Sequence, residues 1–464
     1  MNKEQLLQLL TPHGQEHLVA WWDELDAAGR AGLAAQIRQV DFAQLAQLYR
    51  GRERQDDFRA LADRAQSPPA VRLAGAQNLF TPAEARQRGT AALRAGQVGV
   101  ILVAGGQGTR LGFPHPKGMF PIGPVSGRSL FQVHVEKIVA AARRYGARIP
   151  LSVMTSPATD AETRQYFAAH GRFGLAEEDF CAFCQGTMPA VDLATGRVLL
   201  EARDRIAVSP DGHGGLLAAL VRSGALAEIE RRGIRTLFYF QVDNPLVDIC
   251  GAEFLGYHLL AEAEMTTQVV AKSDPLERVG NVVAADGRLH VIEYSDLPDE
   301  AARRRNTDGT LQIWAGSIAV HAIETGLVRR EAQRAAGLPF HIARKKVACL
   351  DAAGQRVEPA QPNAVKFERF IFDLIPAARR ALVVEIDPAD GFAPLKNAPG
   401  AERDTADWVR QQMIAQHRRW LAAAGARVDE GVAVEICPLW AADAAEVAAK
   451  LAPGTRVTRP TYFC

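Results

Sequence analysis

Val98-Gly99-Val100-Ile101-Leu102-Val103-Ala104 is a continuous apolar run that ends in Gly105-Gly106. An uninterrupted apolar run bounded by glycine is typical of a strand buried on both faces, as in a parallel sheet. Similar apolar runs occur at Leu151–Thr155, Thr236–Val242 and Thr267–Ala271. They alternate with helical patterns, which occur at Leu130–Tyr145 and Leu216–Arg232. This alternation predicts an open α/β sheet, which we extend over residues 96–380 as a central domain.

The segments on either side of this domain have different patterns. Residues 1–95 are predicted to be helical, with a helix start at Thr11-Pro12 and an apolar face formed by Leu18, Trp21, Trp22 and Leu25. Thr81-Pro82-Ala83-Glu84 is a capping box. Residues 381–464 begin with a strand at Ala381–Ile386 and include a helix at Arg403–Ala424, which predicts a smaller C-terminal domain.

Composition excludes several classes of protein. The 464 residues carry a formal net charge of +1, which indicates no surface for nucleic acid. No apolar run approaches the roughly 20 residues that cross a bilayer, and the N-terminus lacks the pattern of a signal peptide. We therefore expect a cytoplasmic protein with neither membrane nor nucleic-acid partners. Cys181 and Cys184 form a lone Cys-x-x-Cys pair, which is insufficient for a zinc site.

A long glycine-rich loop follows the first buried strand. It contains Gly105, Gly106, Gly108 and Gly112, which allow backbone N–H groups to approach phosphate oxygens. The spacing matches neither the Walker motif nor the dinucleotide motif G-x-G-x-x-G. The next helix start is at Ser129, so the loop spans residues 105 to about 128. It includes Arg110 and Lys117, two cations suited to the charge of a pyrophosphate leaving group.

Further motifs follow this loop in a fixed order. After Leu102–Gly112 and Pro116-Lys117-Gly118-Met119 come Gln185-Gly186-Thr187-Met188-Pro189-Ala190, Pro210-Asp211-Gly212-His213-Gly214-Gly215, Val242-Asp243-Asn244, Val279-Gly280, Glu293-Tyr294-Ser295, Ala343-Arg344-Lys345-Lys346, Pro362-Asn363-Ala364-Val365-Lys366 and Pro394-Leu395-Lys396-Asn397. Together they resemble the eukaryotic-type UDP-N-acetylglucosamine pyrophosphorylases, part of the UDP-sugar pyrophosphorylase family. The resemblance covers nearly the whole chain.

The resemblance implies an architecture, a reaction and a set of site residues. The architecture is a Rossmann-like, glycosyltransferase-A-like central sheet that is mixed but mostly parallel, with an N-terminal helical region and a small C-terminal domain. The reaction converts UTP and a sugar 1-phosphate into a UDP-sugar and pyrophosphate, with Mg²⁺ as cofactor. The residues implied are Leu102, Ala104, Gly105, Gly106, Gln185 and Gly212 for the nucleoside, Lys345 and Lys346 for the nucleotide phosphates, Lys396 for the sugar phosphate, and Gly280, Glu293 and Tyr294 for the sugar.

The chemistry of such a reaction needs no covalent intermediate. A phosphate oxygen of the sugar phosphate attacks the α-phosphorus of UTP in line, so the protein must position two polyanions and offset their repulsion. Arg110, Lys117 and Lys396 are the cations that we assign to this task. Asp243, which ends a predicted strand, is a candidate Mg²⁺ ligand; alternatively its carboxylate caps the turn at Asn244-Pro245.

Two departures from the resemblance concern the sugar. His213 stands where the N-acetylglucosamine enzymes have Asn, and Trp314 and Ser317 stand at the two Asn positions of an Asn-Ala-Gly-Asn motif. An Asn side chain pairs with an acetamido group, whereas Trp offers an apolar face and one donor. We take His213 and Trp314 as candidate sugar residues, with repacking of the pocket wall as the alternative.

Several functions remain open on sequence alone. The leading hypothesis is a UTP-dependent N-acetylhexosamine-1-phosphate uridylyltransferase. The alternatives are a UDP-glucose or broad-specificity pyrophosphorylase and a non-catalytic UDP-sugar-binding protein. A nicotinamide dehydrogenase is disfavoured by the glycine spacing. The sequence does not indicate the oligomeric state.

Overall fold

The computed structural model describes residues 1–51, 58–75, 78–334 and 337–464. It divides into two compact units, each made of several chain segments. The helical unit comprises Met1–Phe58, Gln185–Leu216 and Ala336–Asp373, and the sheet unit comprises Arg59–Cys184, Leu217–Ala335 and Leu374–Cys464. Among the described residues, no helix is both long enough and apolar enough to cross a bilayer.

The sheet unit is built on one large sheet. Its strands within the described residues are β1 (Ala70–Val71), β2 (Val98–Val103), β3 (Leu151–Thr155), β4 (Phe180–Cys184), β5 (Thr236–Gln241), β6 (Met265–Ala271), β7 (Gly280–Ala285), β8 (Arg288–Ile292), β9 (Ala315–Glu324) and β10 (Ala381–Glu385). The order across the sheet is β1-β10-β6-β9-β5-β2-β3-β4, and β7 pairs with both β8 and β9.

Strand direction confirms the predicted mixed, mostly parallel sheet. β5, β2, β3 and β4 are parallel to one another, as are β6, β10 and β1. β9 runs antiparallel to both β5 and β6. Strands β5 and β6 therefore point in the same direction, and their carboxyl ends lie at the same edge of the sheet as that of β2.

The apolar run at residues 98–104 forms the strand that its sequence predicts. Val98, Val100, Ile101 and Leu102 are each no more than 1% exposed, so both faces of β2 are covered. Leu102 belongs to an apolar cluster with Phe131, Val135 and Phe240. Burial on both faces explains why the run shows no alternation of polar and apolar residues.

The sheet unit also contains helices. They are Pro82–Arg94, Leu130–Tyr145, Asp160–Ala169, Ala225–Arg231, Ala252–Leu260, Asp299–Ala302, Thr325–Ala332, Pro388–Gly391, Ala406–Ala423 and Ala444–Lys450, and helices Phe58–Arg64 and Leu216–Arg222 begin at the last residues of segments of the helical unit. The capping box at Thr81 and the helix Leu130–Tyr145 are confirmed. The single helix predicted over Leu216–Arg232 is wrong, because Gly224 adopts a left-handed φ of 75° and divides it.

The helical unit has its own apolar core. Its helices are Lys3–Leu10, Ala27–Gln39 and Phe42–Arg50, and its largest sheet pairs His341–Lys345, Ala364–Glu368 and Val191–Asp192. The helix start predicted at Thr11 is wrong, since Thr11–His13 is a 3₁₀ turn without a side-chain cap. Two further 3₁₀ turns, Glu16–Val19 and Trp22–Glu24, stand where the apolar face of Leu18 to Leu25 predicted an α-helix. Leu18 and Trp22 are nevertheless buried, because an i, i+3 or i+4 apolar spacing also suits short turns packed on a core.

The units divide the chain differently from the three consecutive segments that we expected. Residues 59–95, predicted to belong to an N-terminal helical region, belong to the sheet unit, and residues 185–216 and 337–373 leave the predicted central domain for the helical unit. The C-terminal residues have a small cluster of their own around Leu421, Val434 and Val447, although they group with the sheet unit.

Two helices of the sheet unit cross at glycines. A Cβ added at Gly256 would lie 1.7 Å from the Ala85 carbonyl oxygen, and one added at Gly89 would lie 1.8 Å from that of Ala252. Helices Pro82–Arg94 and Ala252–Leu260 therefore approach at a distance that only glycine permits.

Substitution of Gly256 by alanine tests this close approach. We expect Gly256→Ala to lower the free energy of unfolding by about 1–3 kcal/mol, because the added methyl must push the helices apart. Gly32→Ala is the matched control, since a Cβ there meets no atom within 4 Å in an exposed helix position. It should raise stability by roughly 0.5–1 kcal/mol. Chemical denaturation of the full chain measures both; equal effects of the two variants would contradict the packing described.

Candidate active site

The carboxyl edge of the main sheet gathers part of the set that the sequence assigned to phosphates and metal, whereas Lys345 and Lys346 lie in the helical unit. Gly105 follows β2, and Asp243 follows β5 by two residues. The Ala104 N–H donates to the Met154 carbonyl (2.8 Å), and the Val242 N–H donates to the Val103 carbonyl (3.0 Å), so the ladder continues to this edge. Loops at the carboxyl ends of parallel strands are where α/β folds bind ligands.

The glycine-rich loop contains no α-helix between residues 105 and 129, as the sequence predicted. It contains 3₁₀ turns at Thr109–Leu111 and Lys117–Met119 and isolated antiparallel bridges between Gln107 and Pro116 and between Pro121 and Ser129. The Gly105 carbonyl accepts a hydrogen bond from Ser156 Oγ (2.7 Å), whereas the N–H groups of Gly105 and Gly106 have no acceptor among the described residues. A Cβ at Gly106 would meet nothing within 4 Å, so this glycine faces open space. The loop thus presents free donors to a ligand.

Lys117, Asp243 and Leu395 are joined by direct contacts. The Lys117 N–H donates to the Gly106 carbonyl (3.0 Å), and its Nζ donates to the Leu395 carbonyl (3.3 Å) and lies 3.9 Å from Asp243 Oδ2. The Leu395 N–H donates in turn to the Asp243 carbonyl (2.8 Å). The side chains of Lys117 and Asp243 are 20% and 14% exposed, so a cation and a carboxylate remain accessible side by side.

The turn after β5 is capped by Asn244 and not by Asp243. Asn244 Oδ1 accepts from the N–H groups of Leu246 (3.2 Å) and Ala393 (3.1 Å), and its Nδ2 donates to the Gly391 carbonyl (2.8 Å). The turn-capping alternative for Asp243 therefore does not apply, and its carboxylate stays available for another partner.

A bulge in β9 opens a small cavity beside Asp243. The β5–β9 ladder stops at Tyr239 and His321, and the β6–β9 register shifts between Thr267 and Val269. Within the bulge Ala319 adopts a φ of 57°, a conformation that costs a non-glycine residue about 1–2 kcal/mol. The resulting cavity of about 40 Å³ is lined by Gln241, Asp243, Asn244, Val247, Ser317, Ile318, Ala319, Val320, Phe392, Pro394 and Lys396.

Of the two residues at the Asn positions of the family motif, Ser317 lies in this cavity and Trp314 does not. Ser317 Oγ accepts a hydrogen bond from the Ala319 N–H (3.3 Å). Ser317 also lies near Gly280: a Cβ added at Gly280 would be 3.8 Å from the Ser317 Cβ and 3.5 Å from Glu293 Oε1. Gly280, Glu293 and Ser317 therefore form one cluster, and Tyr294 is 49% exposed beside it. A single Ser carries little signal in a sequence, so Ser317 was not among the predicted site residues.

Trp314 is held under an arginine. It is 7% exposed, and the Arg72 guanidinium lies 3.6 Å from the ring centroid while pairing with Glu385 (2.7 Å). One face of the indole is thus occupied by a cation–π contact within the protein. This contact favours the repacking alternative over direct recognition of a sugar.

Of the residues that the resemblance placed at the nucleoside, Gln185 and Gly212 lie in the helical unit. Gln185 is 9% exposed, and its side-chain amide has no hydrogen-bond partner in the described part of the chain. Gly212 has a φ of 83°, and a Cβ there would lie 2.4 Å from the Arg369 carbonyl oxygen. The Gly214 N–H donates to that same carbonyl (2.7 Å). Only glycine fits at position 212, which explains the Gly-His-Gly turn.

His213 packs in an aromatic group that the sequence did not reveal. Its ring stacks on Phe370 with centroids 5.2 Å apart and meets Phe372 edge-on at 5.8 Å. Nδ1 accepts from the Ile371 N–H (3.1 Å), which leaves the proton on Nε2. Burial, reinforced by nearby His341, lowers the His213 pKa to about 4. The side chain is therefore a neutral donor at pH 7.

The remaining predicted cations are exposed. Arg110, Lys345, Lys346 and Lys396 lie at the surface, and within the ranges that the structure describes none of their side chains forms an ion pair. Lys396 is fixed through its backbone, whose N–H donates to the Asp404 carbonyl (2.9 Å). Its Nζ lies 6.0 Å from the Phe392 ring centroid. No group of three or more acidic, His or Cys side chains suited to a metal occurs among the described residues.

Comparison with known proteins identifies the family. Residues 41–417 match the model of the UTP–glucose-1-phosphate uridylyltransferase family. The chain belongs to this family. It is 37% identical over 431 residues to the UDP-N-acetylhexosamine pyrophosphorylase-like protein 1 of Homo sapiens, covering 89% of this chain and 84% of that one. It is 38% identical over 355 residues to the UDP-N-acetylglucosamine pyrophosphorylase of Saccharomyces cerevisiae, covering 75% and 74%.

A solved structure extends the likeness to the whole chain. The uridine diphosphate N-acetylglucosamine pyrophosphorylase of Trypanosoma brucei has a TM-score of 0.81 and 28% identity, and 99% of each chain is covered. These matches confirm the resemblance seen in the motifs, and the protein is a nucleotidyltransferase of the uridylyltransferase family.

The protonation of His213 provides a test of this environment. We expect its ring to titrate near pH 4, below the ordinary value of 6.5, because burial disfavours the charged form. The unfolded chain binds this proton at higher pH than the folded chain, so acidification from pH 6.5 to 4 lowers the free energy of unfolding. NMR of histidine-labelled protein, with His213→Asn for assignment, measures the midpoint; titration close to 6.5 would contradict the buried, Ile371-bonded ring.

Proposed function

We propose that this protein transfers the uridylyl group of UTP to an N-acetylhexosamine 1-phosphate, N-acetylglucosamine 1-phosphate first, and releases pyrophosphate. The observation that carries the proposal is the assembly at one sheet edge of Gly105–Gly106, Lys117, Asp243 and Lys396 in a member of the uridylyltransferase family. The amino sugar is the one named for the relatives described above.

Each of these groups has a task in an in-line phosphoryl exchange. The free N–H groups of Gly105 and Gly106 suit phosphate oxygens of the nucleotide. Lys117, already held against Leu395, offsets charge on the departing pyrophosphate, and Arg110 assists from the same loop. Lys396, exposed beside the cavity, binds the incoming sugar phosphate. Positioning two polyanions in this way supplies much of the rate enhancement in phosphoryl transfer.

The uridine and sugar would be recognised by other residues of the set. Within the described residues the Gln185 side-chain amide has no partner, and it can both donate to and accept from a uracil edge. Gly212, where the left-handed φ and the nearby Arg369 backbone require glycine, is the second residue that we assign to the uracil. Lys345 and Lys346 are candidates for the nucleotide phosphates. Gly280, Glu293 and Ser317 form the cluster that we assign to the sugar, with Tyr294 as a further contact. His213, in the helical unit, stays a candidate sugar residue on the resemblance alone. Leu102 and Ala104, which are buried, shape the strand end beneath the nucleoside.

The donor set fits a magnesium ion. Asp243 is accessible and is not used for turn capping, and Mg²⁺ takes one or two protein carboxylates and completes its shell with phosphate oxygens and water. We assign Mg²⁺ to Asp243. When bound, the ion offsets negative charge on the phosphates that the chain's own cations also contact. A cytoplasmic location stays a prediction.

A panel of sugar 1-phosphates tests the activity. With UTP and Mg²⁺, we expect the purified chain to release pyrophosphate with N-acetylglucosamine 1-phosphate, and with N-acetylgalactosamine 1-phosphate to a comparable or smaller extent. Glucose 1-phosphate should be a poorer substrate, since a site built to pair an acetamido group rejects analogues that lack it. A coupled pyrophosphate assay measures the rates. Turnover with glucose 1-phosphate alone would contradict the amino-sugar proposal.

Substitution of Asp243 tests the metal assignment. Asp243→Asn keeps the shape of the side chain but removes the charge, and we expect a loss of turnover of roughly 100-fold or more. Binding of Mn²⁺ in the presence of UTP, followed by electron paramagnetic resonance, should weaken in parallel. Glu402→Gln is the control, because Glu402 is an exposed carboxylate of the loop that follows Lys396. Equal Mn²⁺ affinity in Asp243→Asn and the parent protein would refute the assignment.

A further inference from the structure

Lys272 is a buried lysine at the same sheet edge as the proposed phosphate site. It follows β6 directly, and β6 is parallel to β5, so its backbone lies at the edge where Gly105 and Asp243 are found. The residue is only 7% exposed, and its N–H donates to the Trp314 carbonyl (2.9 Å). No role was assigned to it above.

The ammonium group of Lys272 is bonded only to neutral oxygens. Nζ donates to Asn281 Oδ1 (2.6 Å) and to the Pro275 carbonyl (3.1 Å), and among the described residues no carboxylate lies within 4 Å of it. A buried cation with no carboxylate in direct contact is costly to a fold, and an apolar side chain would fill the same space at lower cost. The presence of a lysine here therefore requires a reason other than packing.

Asn281 connects this lysine to the residues assigned to the sugar. It is 1% exposed, and its Nδ2 donates to the carbonyls of Val279 (3.1 Å) and Ile292 (3.2 Å). Val279 and Ile292 immediately precede Gly280 and Glu293. The Asn281 side chain thus fixes the backbone immediately before Gly280 and before Glu293, and Lys272 fixes the Asn281 side chain through a hydrogen bond.

Gly316 completes the connection on the other side. A Cβ added at Gly316 would lie 2.8 Å from Val279 Cγ2 and 3.4 Å from Lys272 Cγ, so the stem of the lysine packs against the segment between Trp314 and Ser317. Lys272 therefore contacts each backbone segment of the Gly280, Glu293 and Ser317 cluster directly or through Asn281.

We propose that Lys272 is a positioning residue for the sugar 1-phosphate: through Asn281 and the Trp314 carbonyl it fixes the Gly280, Glu293 and Ser317 cluster, and its buried positive charge favours an anionic substrate at this edge. The inference rests on the proposed transfer to a sugar 1-phosphate. It assigns no direct contact between Lys272 and the reacting atoms.

Substitution by methionine separates this role from general packing. Lys272→Met keeps the length and most of the volume but removes the charge and both hydrogen bonds. We expect KM for the sugar 1-phosphate to rise roughly tenfold or more, the effect of losing a hydrogen bond made by a charged group. KM for UTP should stay within about twofold, because residues outside the changed contacts contribute independently. Initial rates at varied concentrations of each substrate measure both constants, and equal rises in both would overturn the inference.

Lys137→Met is the matched control. Lys137 is also a partly buried lysine of the sheet unit whose Nζ donates to two backbone carbonyls, those of Pro245 (2.6 Å) and Val247 (2.9 Å), and burial lowers its pKa to about 8. Its acceptors lie in the loop after Asp243 and not in the sugar cluster. It should not raise KM for the sugar 1-phosphate selectively. The same selective rise in both variants would overturn the role assigned to Lys272.

The pH profile gives a readout that packing alone would not change. Burial lowers the Lys272 pKa to about 8, and the nearby carboxylates of Glu277 and Asp274 in the adjoining loop act in the opposite direction, raising it. The groups that face Lys272 from β7 and from Trp314 are neutral. Because the ammonium is charged only below this pKa, kcat/KM for the sugar 1-phosphate should fall as pH rises through about 8. Lys272→Arg keeps its charge throughout and should lack this fall. Persistence of the fall in that variant would refute the inference.

Binding measurements keep this inference distinct from the proposed activity. If the parent protein released no pyrophosphate with any sugar 1-phosphate, the activity would fail, but Lys272→Met should still weaken binding of UDP-N-acetylglucosamine and leave UDP binding unchanged in calorimetry. If the parent is active and the variant binds UDP-N-acetylglucosamine and UDP as the parent does, only the role of Lys272 fails.

Discussion

The hydrogen bond from the Leu395 N–H to the Asp243 carbonyl holds together the parts of the chain from which the candidate site is built. It places Lys396 beside the end of β5, and it gives the Lys117 ammonium a fixed acceptor in the Leu395 carbonyl. Asn244 reinforces the same junction by bonding Gly391 and Ala393. With these bonds in place, the Asp243 carboxylate lies with Lys117 and Lys396 at one edge of the sheet, although the three come from remote segments of the chain. The Lys117–Asp243 distance of 3.9 Å is too long for a strong ion pair. Their charges therefore remain free to respond to a polyanionic ligand.

Local sequence patterns were sufficient for much of the sheet unit. The run at residues 98–104 predicted β2 because burial on both faces leaves a continuous apolar signal, and the helix Leu130–Tyr145 carries its own cap. The turns at residues 11–25 were misjudged because apolar spacing alone does not distinguish an α-helix from successive 3₁₀ turns. The grouping of residues 185–216 and 337–373 with the N-terminus was out of reach for a linear division. It depends on pairing between Val191–Asp192 and Ala364–Glu368 and on an apolar cluster that these strands share with N-terminal residues such as Leu6.

The candidate site shows the same limit. The glycine loop, Lys117 and Asp243 stand out by motif, whereas the position of Trp314 is decided by Arg72, a residue with no sequence signal of its own. Ser317 gains its importance only because the β9 bulge brings it to the cavity. The sequence likewise does not identify the roles of buried polar residues such as Asn244 and Asn281. These side chains act by forming hydrogen bonds with backbone carbonyls and N–H groups that come together only in the folded chain. Such satisfied networks fix one arrangement of loops where apolar contacts alone would allow several.

The bulge in β9 also constrains how this strand can change in length. Thr267 faces His321 and Val269 faces Ser317, so β9 contains two more residues than a regular ladder would need. Side chains alternate between faces with a period of two, and this even excess leaves the alternation intact on both sides. Deletion of one residue would turn all side chains of one half to the opposite face of the sheet, where each would meet the packing that suits its neighbours. Deletion of two would preserve the faces while closing the gap to β5. Insertions and deletions tolerated in β9 should therefore involve two residues at a time. A two-residue deletion should leave the fold intact but remove the cavity.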